Sequence, residues 1–431
     1  MKQNSAPYRV GLIGFGNIGS GLVRHLVEHR DLIAARLGRP LELVEIADKE
    51  FDRPRDVTPP PSVRLTTNWR ELATSPEIDG VVELVGVGAD GKPTLALDIA
   101  KTVLGAGKDF VTANKGLIAP HGAELHALAA KSGALCLYEA SVGAGIPLIG
   151  AMQLSLAGNE FNAIHGIVNG TCNYILTNID RDPALTMDAA VADAQRLGYA
   201  EPDPTFDVEG HDTAYKIVIL ASLAFGQRFR FEDVRLDGIT KLGAPEFEYA
   251  RKSGHSLKLM ASAIRRAGGV ELIVGPAFVP NDHVVAGVRG VFNTVLIQAD
   301  PIGDTLYYGR GAGQGSTGSG LVADLMLAAR TRSGGAANPY PLSIPDIAAR
   351  VAVPGECVAK RYLRVGGSAA SVSAAKGVGL PGNVVSEGPG HVAVVADDLT
   401  VAECDKALGK LTAAGVSLRE IVIGRFPFPA S

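Results

Sequence analysis

Apolar residues follow one rhythm in the first third of this chain and another beyond it. Up to residue 145, short and nearly continuous apolar runs alternate with segments of helical period. Tyr8 to Ile13, Leu41 to Ala47, Val81 to Val85, Lys108 to Thr112 and Ala134 to Tyr138 read as five strands. Between them, Ile18, Leu22 and Leu26 recur four apart on one helix face, and Pro93 to Gly105 and Ala119 to Lys131 carry further helices. Strands that are apolar on both faces need cover on both faces. Their alternation with helices predicts a parallel, doubly wound α/β sheet over residues 1–145.

From 146 to 315 strands gather in runs. Ala163 to Val168, Leu257 to Ile264, Val270 to Phe278, Val291 to Ala299 and Asp304 to Tyr308 read as strands. Thr186 to Leu197 is a helix capped by Thr186 and stopped by Gly198, and Asp212 to Phe225 is another. This segregation predicts an α+β domain. The glycine-rich stretch Gly309 to Gly320 leads into a helix from about Leu321 to Thr331, and residues 316–332 are expected to pack back on the first domain. Residues 333–342 read as a linker rich in Gly, Ala, Asn and Pro. In the tail, 343–431, Arg361 to Val365, His391 to Ala396 and Glu420 to Gly424 read as strands and Val401 to Ala414 as an amphipathic helix.

Composition narrows the class only a little. The chain has 431 residues, 46% hydrophobic and 20% charged, enough to bury large cores in two or three domains. Its net charge of −4 argues against a nucleic-acid or anionic-membrane partner, either of which favours a basic surface. No apolar run nears the roughly 20 residues that span a bilayer. Cys136, Cys172, Cys357 and Cys404 lie far apart, without metal-ligand spacing or a disulfide pattern. A cytoplasmic protein acting on a small molecule is the expectation.

The first strand ends in Gly14-Phe15-Gly16-Asn17-Ile18-Gly19 and opens a helix. In that context G-x-G-x-x-G is a dinucleotide site: Gly14 permits the turn, Gly16 the approach of a pyrophosphate, and Gly19 close helix–strand packing. The helix N-terminus offers unpaired N–H groups to phosphates. Asp48 and Lys49 end the second strand, where an adenosine ribose is read. An acid there favours NAD and a base NADP, so the pair pulls both ways.

The densest chemistry spans Gly198 to Lys216, where five acids and a lysine bracket a proline-stiffened loop that enters an apolar helix. Asp212 and Lys216 are four apart and share a helix face. A lysine opening a buried helix needs acidic partners. One reading is a capping loop with a routine ion pair. The other is a site for a substrate bearing an ammonium group and a reacting oxygen.

Here the sequence resembles the homoserine dehydrogenase family. Gly198-Tyr199-Ala200-Glu201-Pro202-Asp203-Pro204, Asp207, Gly210, Asp212 and Lys216 fit its hallmark position by position. So do Thr112-Ala113-Asn114-Lys115, Glu139 to Pro147, Asn169-Gly170-Thr171-Cys172-Asn173, Val288 to Asn293 and Tyr308 to Gly313, and the likeness covers residues 8 to about 332. The resemblance implies a Rossmann-type domain, a substrate-binding and dimerisation domain, and NAD(P)-dependent interconversion of L-homoserine and L-aspartate 4-semialdehyde in threonine and methionine biosynthesis. It makes Lys216 the proton shuttle and Lys115 a second cation that meets both cofactor and substrate. Glu201 and Asp207 would hold the substrate ammonium, with Asp212 beside Lys216. Thr171, Gly170, Tyr199 and Ala200 would line the pocket. It further implies a monovalent cation, sodium or potassium, on the backbone carbonyls of Glu139, Val142, Ala144 and Ile146, and a homodimer or homotetramer.

Two rivals share the fold. An acylating dehydrogenase of the aspartate-semialdehyde type needs a thiolate, for which Cys172 is the one candidate, with no histidine partner evident. A non-catalytic dinucleotide sensor would not need the acids and lysines. The family's pattern weakens in the tail. Many members end in an ACT-type domain whose first loop carries Asp-x-Pro-Gly, whereas Gly366-Gly367-Ser368-Ala369-Ala370-Ser371 lacks both the aspartate and the proline. An abbreviated ACT-like βαβ domain with little or no threonine inhibition is expected.

Overall fold

The computed structural model describes residues 6–88, 91–334 and 343–428. The expected linker, 333–342, lies almost wholly outside the described residues. The chain forms two compact units: Met1–Asn159 with Val218–Phe231 and Tyr307–Ala348, and Glu160–Ile217 with Glu232–Leu306 and Ala349–Ser431.

The first unit carries β1 (Tyr8–Ile13), α1 (Asn17–Glu28), α2 (Arg30–Leu37), β2 (Leu41–Ala47), β3 (Arg64–Thr66), α3 (Trp69–Thr74), β4 (Gly80–Glu83), α4 (Thr94–Gly105), β5 (Asp109–Thr112), α5 (Lys115–Ser132) and β6 (Cys136–Leu137). All six strands are parallel, in the order β3-β2-β1-β4-β5-β6. The order reverses between β1 and β4, the switch point where such a sheet opens a crevice at its carboxyl ends. β3 is a sixth strand beyond the five expected. It is three residues long with two exposed, so no apolar run marks it. The added helix α2 lengthens the connection to β2, which is why Asp48 lies unusually far from the glycines.

The chain continues through β7 (Glu160–Ile167), α6 (Gly170–Arg181), α7 (Met187–Arg196), α8 (Thr205–Val208), α9 (His211–Phe225), β8 (Val234–Leu236), α10 (Ala244–Lys252), β9 (His255–Arg266), β10 (Gly269–Pro280), β11 (Phe292–Asp300), β12 (Gly303–Arg310) and α11 (Gln314–Gly334). α11 begins seven residues before the helix read from the sequence, inside the glycine-rich stretch. The glycines serve packing: a Cβ on Gly21 of α1 would stand 2.7 Å from the Gln314 carbonyl oxygen, and one on Gly318 would stand 3.1 Å from that of Gly21. Leu321, Val322, Leu325, Ala328 and Ala329 share a core with Leu22, Val23 and Leu26 of α1. Arg332 and the Tyr8 hydroxyl both donate to the fully buried Asp109.

The tail supplies β13 (Val358–Gly366), α12 (Ala369–Val378), β14 (Asn383–Gly388), β15 (His391–Thr400), α13 (Val401–Ala413) and β16 (Ile421–Arg425). This is a full βαββαβ, not the shortened βαβ expected. The missed helix α12 is rich in Ala and Ser. Ser368 caps it by accepting from the Ser371 N–H, and its buried Val372 and Ala375 fix it to the module's core. The second sheet runs β12-β11-β7-β9-β10-β16-β13-β15-β14, with β8 also on β10, so the tail continues the middle region's sheet. Tyr362 and Arg364 both donate to the fully buried Glu246 of α10, and Phe426 stacks on Phe278, whose ring also meets that of Tyr362 at a tilt.

Candidate active site

In the second unit, strand β7 ends at Ile167, and Asn169 caps α6 by accepting from the Cys172 N–H at 2.8 Å. The Asn169 amide nitrogen donates to Asp207 Oδ1 at 2.7 Å and to Asp212 Oδ2 at 2.9 Å. Lys216 Nζ donates to the same Asp212 oxygen at 2.7 Å and to the Val168 carbonyl at 2.6 Å. Asn169, Asp212 and Lys216 are all under a tenth exposed. The β7–α6 junction, α8 and α9 thus place a buried cation, two carboxylates and a bridging amide within hydrogen-bond reach. The helical spacing of Asp212 and Lys216 makes their pair. Gly210, at φ +82°, makes the turn before them, and a Cβ there would stand 2.8 Å from Leu236.

Burial and the neighbouring Asp212 raise the Asp207 carboxyl above the usual carboxylate range, while Asn169 and Lys216 act against that rise. A half-buried acid with spare acceptor capacity is suited to a cationic group. Asn169 is a site residue that sequence reasoning missed. Its position at the end of a strand and the start of a helix is the signal for an N-cap, but its second job, keeping two like charges together, follows only from tertiary packing.

Around this cluster, Thr171 Oγ1 donates to the Tyr199 carbonyl at 2.6 Å, tying α6 to the Gly198–Pro204 loop. A Cβ on Gly170 would stand 2.7 Å from the Val291 carbonyl oxygen, so no side chain fits there. Asn173 donates to the carbonyls of Val288 and Phe292, which holds that segment behind α6. Glu201 stands apart: it is exposed, its carboxylate has no hydrogen bond or ion pair among the described residues, and Gln195 holds its backbone carbonyl. Cys172 donates its thiol to the Asp207 carbonyl at 3.2 Å. Burial, Asp207 and Asp212 push that thiol well above its ordinary value, the opposite of what an acyl-transfer nucleophile needs.

In the first unit the glycine turn has the shape its motif predicts. Gly14 has φ +98°, and a Cβ on it would meet the Leu84 carbonyl oxygen at 2.6 Å. One on Gly19 would meet the Gly14 carbonyl oxygen at 2.5 Å, while Gly16 faces open space. No side chain caps α1 at Gly16, so the N–H groups of its first turn, from Asn17 and Ile18 onward, remain available to phosphate. Asp48 Oδ2 accepts from the Phe15 N–H at 2.5 Å and Oδ1 from the Glu50 N–H at 2.9 Å. Lys49 is exposed. Arg55, a second residue that sequence reasoning missed, lies over the Phe15 ring and donates to the carbonyls of Phe15, Glu50, Phe51 and Arg53, 3.6 Å from Asp48. Lys115, half-buried, is the first residue of α5, which Asn114 caps.

Comparison with known proteins matches both halves of this picture. The homoserine dehydrogenase family profile matches residues 147–326, and the profile of that family's NAD-binding domain matches 14–139. The chain belongs to the homoserine dehydrogenase family. It is accordingly an NAD(P)-dependent oxidoreductase. The homoserine dehydrogenase of Pseudomonas aeruginosa is 41% identical over 335 residues, 78% of this chain and 75% of the relative. That of Synechocystis is 42% identical over 322 residues, 74% of this chain and 72% of the relative. A homoserine dehydrogenase structure from Thiobacillus denitrificans superposes with a TM-score of 0.87 at 32% identity, covering 98% of this chain and 99% of that one. A hyperthermophilic archaeal homoserine dehydrogenase solved with NADPH gives 0.62 at 26% identity, over 75% of this chain and 98% of that one.

The segment from Glu139 to Ile146 has unusual backbone. Gly143 and Ala144 both have positive φ (72° and 54°), and Ala144 is the one non-glycine to do so among the described residues. Glu139 is buried. Its carboxylate accepts from the N–H groups of Leu148, Ile149 and Gly150, and its own N–H donates to the buried Asp324. The carboxylate is thus committed to the turn. The Ile146 carbonyl already accepts from the Leu148 N–H at 2.8 Å. No described helix is long and apolar enough to cross a membrane.

Proposed function

We propose that this enzyme interconverts L-homoserine and L-aspartate 4-semialdehyde, and that Lys216 moves the proton at the substrate's terminal oxygen. The observation that supports the role is a buried ammonium anchored on one aspartate and one carbonyl, which leaves its third N–H for a substrate oxygen. The nicotinamide cofactor supplies the hydride acceptor. In oxidation the hydroxyl proton passes to the Lys216 amine as the C–H hydride leaves. In reduction the ammonium returns a proton to the developing alkoxide. Asp207, with Glu201 on the adjoining loop, takes the substrate ammonium, Asp212 orients Lys216, and Lys115 supplies the second cation beside the reacting oxygen. Thr171, Gly170 and Tyr199 shape the pocket.

Asp48 supports use of NAD(H) at least as readily as NADP(H). The one arginine beside it, Arg55, already gives its donors to four carbonyls and is poorly placed to grip a 2′-phosphate. The Glu139–Ile146 carbonyls would hold a sodium or potassium ion. The enzyme would be a cytoplasmic homodimer or homotetramer built on the middle-region sheet. The βαββαβ tail is an ACT-like module without a working effector pocket. Glu420 lies against its first loop, accepting from Ser371 Oγ there and from the Ser417 N–H in the turn before β16, which supports weak or no amino-acid binding. A turnover assay with homoserine and each cofactor tests the central claim: protein that binds cofactor yet oxidises no homoserine and reduces no semialdehyde would overturn it.

A further inference from the structure

One fully buried acid takes no part in the chemistry above. Glu83 interrupts the apolar run Gly80-Val81-Val82-Glu83-Leu84-Val85 at the last residue of β4 and has no solvent exposure. Burying a carboxyl there costs free energy unless its oxygens are bonded. A leucine would suit an ordinary sheet at that position.

Both oxygens are bonded. Oε1 accepts from the Val85 N–H at 2.7 Å, in the loop that leaves β4. Oε2 accepts from Thr112 Oγ1 at 2.7 Å, and Thr112 is the register partner of Glu83 and the last residue of β5. Thr112 Oγ1 in turn accepts from the Asn114 N–H at 3.0 Å. Asn114 caps α5 by accepting from the Leu117 N–H at 3.1 Å, and its amide nitrogen donates to the Gly86 carbonyl at 3.3 Å. Gly86 makes the β4 turn with φ +73°. One carboxyl therefore ties together the loops that follow β4 and β5, at the carboxyl edge where a doubly wound sheet binds its ligand. Lys115 is the next residue along.

We propose that Glu83 is a positioning residue that sets the place of Lys115 through Thr112 and Asn114. This rests on the reading of Lys115 as the second cation at the reacting oxygen. The clamp works by accepting hydrogen bonds. Burial also pushes the Glu83 carboxyl up, with Thr112 and the Val85 N–H acting against it. Glutamine keeps an acceptor for the Val85 N–H and can donate to Thr112, whose hydroxyl serves as either partner.

The test is a double-mutant cycle on the full-length enzyme with Lys115→Ala, reading kcat for homoserine oxidation and NAD(P)H dissociation by fluorescence. Glu83→Leu is expected to lower kcat by about tenfold to a hundredfold, the scale of a misplaced catalytic group. Its effect on NAD(P)H dissociation should be no larger than that of Lys115→Ala, and it should cause almost no further loss in Lys115→Ala enzyme. Glu83→Gln should stay within about threefold of the parent. If Glu83→Leu does not fold, Thr112→Val removes the same link and should give the same non-additive loss. Losses that multiply in the double variant, or a Glu83→Gln enzyme as poor as Glu83→Leu, would overturn the proposal and leave Lys115 in place. A Lys115→Ala enzyme of near-parental activity would instead overturn the reading on which it rests.

Discussion

The glycine turn of the first unit and the acidic cluster of the second do their work by opposite means. In the turn, six consecutive residues set the geometry. Gly14 and Gly19 leave no room for a Cβ against backbone oxygens, and Gly16 alone of the three faces open space. In the cluster, Val168, Asn169, Asp207, Asp212 and Lys216 come from separate stretches, and side-chain hydrogen bonds hold the charges together. A site made of backbone tolerates no change of shape. A site made of charges tolerates little change of hydrogen bonding.

The comparison sharpens most at Lys216. Lys216→Ala should lower kcat by about 10²–10⁴-fold, the usual reach of a general acid–base group, with cofactor dissociation nearly unchanged. An active Lys216→Ala enzyme would remove the cluster from the chemistry. Next in size, Gly19→Ala should destabilise the fold by about 2 kcal/mol or more, because its Cβ meets backbone that cannot yield. Gly16→Ala should leave the melting temperature alone yet cost about 1–3 kcal/mol of cofactor binding. Thermal melts with and without cofactor separate the two, and equal melting shifts for both would contradict the division of labour.

Within the cluster, Asp207→Ala should raise the homoserine KM by about tenfold or more, since a charge-assisted hydrogen bond is worth about 1.5–3 kcal/mol. Glu201→Ala should raise it less, because Glu201 stands outside the bonded group. Initial-rate kinetics that rank the two the other way would show that the exposed loop dominates ammonium binding.

Each unit also holds a histidine withdrawn from water, half-buried His126 in the first and buried His165 in the second. Burial pushes His126 of the first unit down to about 4 and His165 of the second down to about 3. Unfolding frees both to bind protons near pH ~6.5. The stability they support is therefore present above that pH and is lost as pH falls toward each folded value. Melting temperature should drop steadily from about pH 6.5 to about 4, and His165→Asn should flatten part of the drop. A variant with the parent's full slope would take His165 out of the account. Smallest of all, millimolar threonine should change the rate by less than about twofold, as expected where no ligand distinguishes two states. Strong inhibition that Ser371→Ala abolishes would show a live effector site in the tail.

Much of the fold and part of the site are legible along the chain. The helix-facing period of Ile18, Leu22 and Leu26, the strand at Tyr8–Ile13 and the four-residue spacing of Asp212 and Lys216 are local regularities, and local regularities survive in sequence. The misses share a cause. β3 is too short and exposed to carry a pattern. The start of α11 reads as a loop because its glycines serve the crossing with α1. α12 reads as a loop because its small residues meet a core formed elsewhere. Asn169 acts on partners 38 and 43 residues away, Arg55 on one 40 away and Glu83 on one 29 away.

The sequence by itself determined the alternation of strands and helices, the glycine turn, the capped helices and the pairing of Asp212 with Lys216, because each depends on residues a turn or two apart. Only the tertiary structure decided which carboxylates share a proton donor, that a tail module continues the sheet of the middle region, and that a buried glutamate joins two strand ends. Those outcomes depend on which polar groups lose water together. That is settled when distant segments pack, and no spacing along the chain records it.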